Sequence, residues 1–210
     1  MSDPVMQNAS SSDTPHVPTA SNPVHHSSFW SFVLSIGIAL ALAAIIRLFI
    51  FAPYLVSGSS MEPNFQDYNY VLVDRLTYDF SAPQRGDVIV LKLPEEPNRD
   101  LIKRVIGVPG DTVVLSGPNP TVTIINTTHP DGVVLDEPYV ASANFGGTTN
   151  TRYTLGPDQY FVLGDNRVVS ADSRLWGVLP RSDIIGDVIL RLYPFDEIGL
   201  FPAQARYQGL

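Results

Sequence analysis

Polar and apolar residues fall into three zones along this chain. Residues 1–28 are rich in Ser, Thr, Asn and Pro and hold no Lys or Arg. Such a stretch buries too little apolar surface to fold, so it is predicted to be a disordered tail. Phe29 to Ile46 then runs without a charge, and Arg47 interrupts the run before Leu48 to Ala52. Helical residues in that number span about 27 Å, close to the hydrocarbon thickness of a bilayer. The pattern predicts one transmembrane helix over 29–52, with Trp30 near an interface and Arg47 placed to snorkel. A buried soluble helix and a cleaved signal peptide ending near Ala39-Leu40-Ala41 are the alternatives. The run is long for a signal core and its N-terminal flank is not basic, which favours an uncleaved anchor.

From Pro53 the pattern changes to short β-branched runs. These are Val71-Leu72-Val73, Val88 to Leu91, Ile102 to Val108, Thr112 to Leu115, Tyr160 to Leu163 and Ile185 to Leu192, separated by Gly, Pro, Asn and Asp. They predict a mainly β body over 53–210, built as an antiparallel β-sheet or barrel. Residues 116–155 carry weaker strand signals and read as a smaller inserted lobe or long loops.

Composition narrows the chemistry. There is no cysteine, which removes thiol catalysis, disulfides and thiolate metal sites. Three of the four histidines, His16, His25 and His26, lie in the tail, and His129 sits in a turn-like Pro-Asp-Gly context. Nothing around His129 is organised as a Ser-His-Asp triad. A net charge of −8 disfavours nucleic acid as a partner. No metal and no cofactor is expected.

The chain has two lysines, Lys92 and Lys103. Lys103 falls within Asp100-Leu101-Ile102-Lys103-Arg104-Val105, where strand alternation places it on one face with Leu101 and Val105. An amine among apolar neighbours tends to shed its proton and can then act as a general base. Lys92 precedes Pro94-Glu95-Glu96 and is expected to meet solvent or an acid. A hydroxyl partner for Lys103 is best sought in Ser57-Gly58-Ser59-Ser60-Met61-Glu62-Pro63, where Met and Pro lift the segment above an ordinary Ser/Gly linker. A third segment, Gly164-Asp165-Asn166-Arg167-Val168-Val169-Ser170-Ala171-Asp172-Ser173-Arg174, carries two charges of each sign. Read alone, it is a polar hairpin with exposed ion pairs.

Taken in order, these segments resemble type I signal peptidase, the bacterial leader peptidase. The matching motifs are Ser60-Met61-x-Pro63, Arg85-Gly86-Asp87-Val88-Ile89-Val90, Ile102-Lys103-Arg104-Val105-Ile106-Gly107-x-Pro109-Gly110-Asp111, and Gly164-Asp165-Asn166-Arg167 through Trp176-Gly177. The resemblance covers about Phe51 to Val188 and the anchor before it, and Val56-x-Gly58-x-Ser60-Met61 is nearest the Gram-positive style. It implies a serine endopeptidase with Ser60 as nucleophile and Lys103 as base. Ser170 would hydrogen-bond and orient the amine, Asp172 and Arg174 would form a supporting ion pair, and the Ser60 N–H would donate to the oxyanion. The substrates implied are signal-peptide-bearing preproteins cut after small residues, read by Tyr54, Val56, Met61, Val90 and Ile102. Phe65, Tyr68, Leu175 and Trp176 are candidates to face the lipid bilayer. The resemblance also implies a single-pass protein of the cell membrane with its body outside the cytoplasm. Arg47 alone, by the positive-inside rule, points the other way.

The chain departs from the family pattern in places. Gly58 stands where many relatives have a serine that assists the oxyanion hole, Asn64 replaces a usual threonine, and Val168-Val169 replace polar residues. Two rivals remain: a self-cleaving Ser-Lys repressor, and an anchored peptide-binding β module without activity. The first needs an internal Ala-Gly site, and this chain has no Ala-Gly dipeptide.

Overall fold

The computed structural model describes residues 27–45, 50–117, 121–144, 150–207 and 210. The tail expected over 1–28 therefore lies almost wholly outside the described residues. Helix α1 spans Ser27–Ile45 and contains no charged residue. Its side chains from 29 to 44 are all exposed. No helix among the described residues is long and apolar enough to cross a membrane. Residues 46–49, inside the anchor expected over 29–52, are not described. Its predicted end is corrected, because Phe51 and Ala52 belong to a strand. The cause is local: Pro53 disfavours helical backbone at the residue before it and is tolerated in an edge strand.

The body is mainly β, with antiparallel pairing throughout. Its larger sheet contains β1 (Phe51–Leu55), β2 (Tyr70–Asp74), β3 (Val88–Leu93), β4 (Glu96–Gly107), β9 (Gln159–Leu163), β10 (Leu179–Pro180), β11 (Ile184–Tyr193) and β12 (Gly199–Leu200). Among the described residues the pairing runs as an open path, β1-β2-β11-β3-β4-β9-β10, with β12 added beside β11. The smaller sheet contains β5 (Thr112–Ser116), β6 (Thr121–Ile125), β7 (Val133–Val134) and β8 (Thr151–Thr154), in the order β7-β6-β5-β8.

Strand β3 sits at the centre, and its residues Val88 to Leu91 are buried on both faces, which is why that part reads as an unbroken apolar run. Val88 and Val90 pack with Val56, Met61, Phe65, Val71, Val73 and Val188. Ile89 and Leu91 point into a separate cluster with Tyr78, Val105, Tyr160 and Val162. A third cluster, around Ile106, Val113, Leu115, Ile124 and Phe161, joins the two sheets.

Strand β4 begins six residues earlier than the apolar pattern predicts, at Glu96 rather than Ile102. The register with β3 steps from Lys92↔Asp100 to Leu93↔Glu96, so residues 97–99 bulge. Pro97 fits there because it has no ladder hydrogen bond to give. The first half of β4 is exposed and the second half buried, which delivers Lys103 and Arg104 to the interior.

Candidate active site

The loop from Val56 to Asn69 connects β1 to β2 and carries Ser60. Its base is closed by Val56 N donating to Asn69 O at 2.9 Å and Tyr68 N donating to Val56 O at 3.0 Å. Gly58 has φ +93°, which side-chain-bearing residues rarely adopt, and its N–H donates to Asp67 Oδ1 at 2.9 Å. Met61 and Phe65 are completely buried and pin the loop to the core. Two expectations are corrected here. Met61 does not line the substrate cleft, and Phe65 cannot face lipid, because the apolar cluster beneath the loop takes up both side chains.

Lys103 stands opposite Ile89 in the β3–β4 ladder. Its side chain is 2% exposed. Its Nζ lies 2.8 Å from Ser60 Oγ and donates to the Ile102 carbonyl oxygen at 2.8 Å. Burial pulls the amine down from its ordinary value to about 8, and the carboxylates of Asp172 and Asp165 oppose that shift. Lys92 is exposed on β3, away from this pair.

Ser170 differs from expectation. Both hydrogen bonds of the Lys103 amine go elsewhere, and Ser170 Oγ is buried with no hydrogen-bond partner among the described residues. The hydroxyl lies against Gly164 instead. A Cβ on Gly164 would collide with Ser170 Oγ and stand 2.5 Å from the Ser60 carbonyl oxygen. That same carbonyl accepts from Asn166 N at 3.0 Å. Gly164 is thus the point where the serine loop and the 164–174 segment meet, a role that sequence reading had not singled out.

The charges of the 164–174 segment are interior rather than exposed. Asp172 takes Arg174 in a two-point ion pair, Nε–Oδ1 2.8 Å and Nη2–Oδ2 2.9 Å, and also accepts from Gly164 N at 3.0 Å. Asp165 takes Arg104 the same way, at 2.8 and 2.6 Å, with both side chains almost fully buried. Arg104 also lies over the Tyr139 ring, 3.9 Å from its centroid. Asn64 donates to Asp165 Oδ2 at 2.8 Å and to Tyr139 O at 2.7 Å, so the residue in place of the usual threonine has a structural task. Arg167 pairs with Glu137 at 2.6 and 3.0 Å and donates to Gly164 O at 2.9 Å. Glu137, Tyr139 and Asp165 had no assigned role from sequence, and the exact spacing of their partners offers no local signal.

Beside the Ser60–Lys103 pair lies a cleft of about 110 Å³. Tyr54, Val56, Val90 and Ile102 line it, as do Val71 and Asp100. A larger cavity of about 590 Å³ opens elsewhere, among Arg75, Tyr78, Asp79, Asp158 and Arg181. It contains neither Ser60 nor Lys103, so the smaller cleft is the chemically equipped one. Tyr68 and Leu175 are exposed, at 67% and 75%, while Trp176 is half-buried.

A hydroxyl within 2.8 Å of a buried amine whose proton is loosened by burial is an arrangement suited to nucleophile-and-base chemistry. Comparison with known proteins points the same way. Residues 29–193 match the family described as signal peptidase, peptidase S26. The Signal peptidase I of Leptolyngbya laminosa is 34% identical over 210 aligned positions, which cover 92% of this chain and 96% of that protein. The Signal peptidase I of Bacillus amyloliquefaciens is 38% identical over 174 positions, 78% of this chain and 88% of the other. A crystal structure of a signal peptidase I from Enterococcus faecalis V583, 33% identical, aligns with TM-score 0.43 over 51% of this chain and 97% of that one. With the family match running through most of its length and close relatives aligned nearly end to end, this chain belongs to the signal peptidase family, peptidase S26.

Proposed function

We propose that this protein is a membrane-anchored serine endopeptidase that removes signal peptides from exported preproteins, with Ser60 and Lys103 as its reacting pair. One observation carries the reading: an amine buried to 2% exposure and lowered to about 8 stands 2.8 Å from a hydroxyl at the edge of an apolar cleft. The neutral amine of Lys103 takes the Ser60 proton as Oγ attacks the scissile carbonyl. The Ser60 N–H donates to the oxyanion. The resulting ammonium gives its proton to the leaving amine, and the new N-terminus departs. Lys103 then deprotonates a water that attacks the acyl-enzyme, and the proton returns to Ser60 Oγ.

Asp172 and Arg174 support this pair by holding the 164–174 segment, with Asp172 bonded to Gly164 N. Ser170, whose buried hydroxyl lies against Gly164 without a hydrogen-bond partner among the described residues, is assigned the task of orienting the amine. The cleft walls of Tyr54, Val56, Val90 and Ile102 suit small side chains. The exposed edge of β4 suits pairing with an extended peptide.

Anchoring is supported by the character of α1, which is apolar on every side and uncharged. A helix without a polar face is suited to lipid rather than water. The body is assigned to the extracytoplasmic side, and residues 116–155, which supply β6, β7 and β8 of the smaller sheet, are assigned as the inserted lobe. Cleavage of a precursor by wild type, Ser60→Ala and Lys103→Ala tests the chemistry. Both variants should lose at least about a thousand-fold, as removal of a nucleophile or its base does in hydrolases. Full activity in either would end the assignment.

A further inference from the structure

The 164–176 segment is inside out. Its charged residues Asp165, Arg167 and Asp172 are buried, and its exposed residues are Val168, Val169, Ala171 and Leu175, all apolar. Val168 and Val169 are 59% and 56% exposed, at the tip of a turn closed by Ser170 N donating to Asn166 O at 3.1 Å. Neither valine joins the apolar clusters of the body. Gly, Asn and Asp suit a turn tip best, and an outward β-branched pair there adds nothing to folding. A lone exposed apolar residue is ordinary, so what distinguishes this pair is its position.

The base of the turn is bonded to the nucleophile's own backbone, because Asn166 N donates to Ser60 O at 3.0 Å. No residue of 164–176 lines the cleft, whose walls come from β1 to β4 and the start of the serine loop. The cleft and the turn therefore flank Ser60 separately.

Strand pairing says which part of a substrate meets the turn. Strand β4 pairs with β9 only from Arg104 onward, Arg104 lying opposite Leu163. The same edge is free beside residues 100–102, and a peptide in the cleft adds there as a strand. Its residues before the cut occupy the cleft, and its scissile carbonyl lies at Ser60 and Lys103, so it runs along β4 towards residue 103. Beyond that point the edge is already taken by β9, which ends at Leu163. The peptide has to leave the sheet where the chain turns at Gly164, and the 166–170 turn stands there. The first three residues after the cut reach about 10 Å when extended.

We infer that Val168 and Val169 form an apolar platform for the substrate just after the cut, favouring an aliphatic residue at one of the first three positions of the released chain. The inference rests on the peptidase reading and deepens it. The cleft selects small residues before the cut, and the platform adds a preference on the other side, where the small-residue rule makes no demand.

The test uses a synthetic precursor peptide with Ala-x-Ala fixed before the cut, carrying Leu or Ser at each of the three positions after it. The quantity read is the Leu-to-Ser ratio of kcat/KM within each enzyme, so a general loss of activity cancels. Wild type should exceed about three-fold at one position, as partial burial of an aliphatic side chain supplies. The double variant Val168→Asn/Val169→Asn should bring that ratio to about one, since asparagine suits the turn but offers no apolar surface. A wild-type ratio below about three-fold at all three positions overturns the inference, as does a ratio that survives in the double variant. The assays run in detergent micelles and in phosphatidylcholine vesicles. A loss in the double variant that appears only in vesicles, equally for Leu and Ser peptides, would give the valines to lipid and overturn the inference too. Binding of labelled peptides to Ser60→Ala, with and without the two valine substitutions, reads the same ratio by fluorescence anisotropy. Failure of wild type to cut any peptide would count against the peptidase reading, while these binding ratios would still decide the role of the platform.

Discussion

In the proposed mechanism, Lys103 couples catalysis to stability through one side chain. Its amine accepts the Ser60 proton only when neutral, and burial brings it to about 8. Cleavage should therefore decline as pH falls below about 8, and a profile of kcat/KM without an acid limb there would count against Lys103 as the base. The stability effect follows from the same shift. The folded value lies below the unfolded one, so below pH 8 the fold carries the full cost of a buried ammonium. Between 8 and 10.5 the native state loses its proton first and the cost is relieved. Lys103→Met should stabilise the protein at pH 7 by up to about 3 kcal/mol, with a smaller gain at pH 10. Denaturant midpoints at the two pH values measure this, and a variant weaker than wild type at pH 7 would refute it. The opposite facing of Lys103 and Arg104 is legible in the sequence, because alternation needs only neighbouring residues. The hydroxyl of Ser170 is not, since its direction depends on how a loop folds against Gly164.

Strands bring distant acids together. Asp187 on β11 is the register partner of Asp74 on β2, and Asp87 leads into β3 on the other side. Burial first, then Asp87 and Asp74, raise Asp187 to about 7. Here the folded value is above the unfolded one, so the proton is held more tightly in the native state. The fold is relieved of the cost when pH is well below 7, and stability declines as pH rises from about 4 through 7. Asp187→Asn should therefore stabilise more at pH 8 than at pH 5, measured by thermal melts in matched salt. An equal effect at both would refute the shift. At this scale the sequence was informative wherever apolar runs were continuous, as in β3, and for the mainly β class as a whole. It was poor where strands are polar. Glu96 to Asp100 extends β4 only because a hairpin partner and a bulge carry it outward, and neither leaves a mark in hydropathy. The helix-to-strand boundary near Pro53 was missed because Phe51 and Ala52 are apolar enough to continue the anchor pattern.

Across the body, buried ion pairs tie together parts far apart in the chain. Arg104 links β4 to Asp165, and its Nη1 donates to the carbonyls of Gly86 and Ala203 at 3.0 and 2.6 Å. Arg167 reaches Glu137, whose Oε1 also accepts from the Tyr139 hydroxyl at 2.6 Å. Tyr139 in turn meets Tyr207 near the C-terminus, hydroxyl to hydroxyl at 2.7 Å. Removing one member of such a set leaves its partner charged and dry, which costs about 3–5 kcal/mol. Asp165→Ala should lose stability in that range by denaturant unfolding, and a loss under about 1 kcal/mol would mean that the pair is not sealed from water. This network was not legible, because Arg104 and Asp165 are 61 residues apart and no pattern links them. The meeting of Gly164 with the serine loop has a last consequence. A side chain at that corner would press on the backbone of the serine loop, so the two segments sit this close only because the residue there carries hydrogen where any other would put carbon.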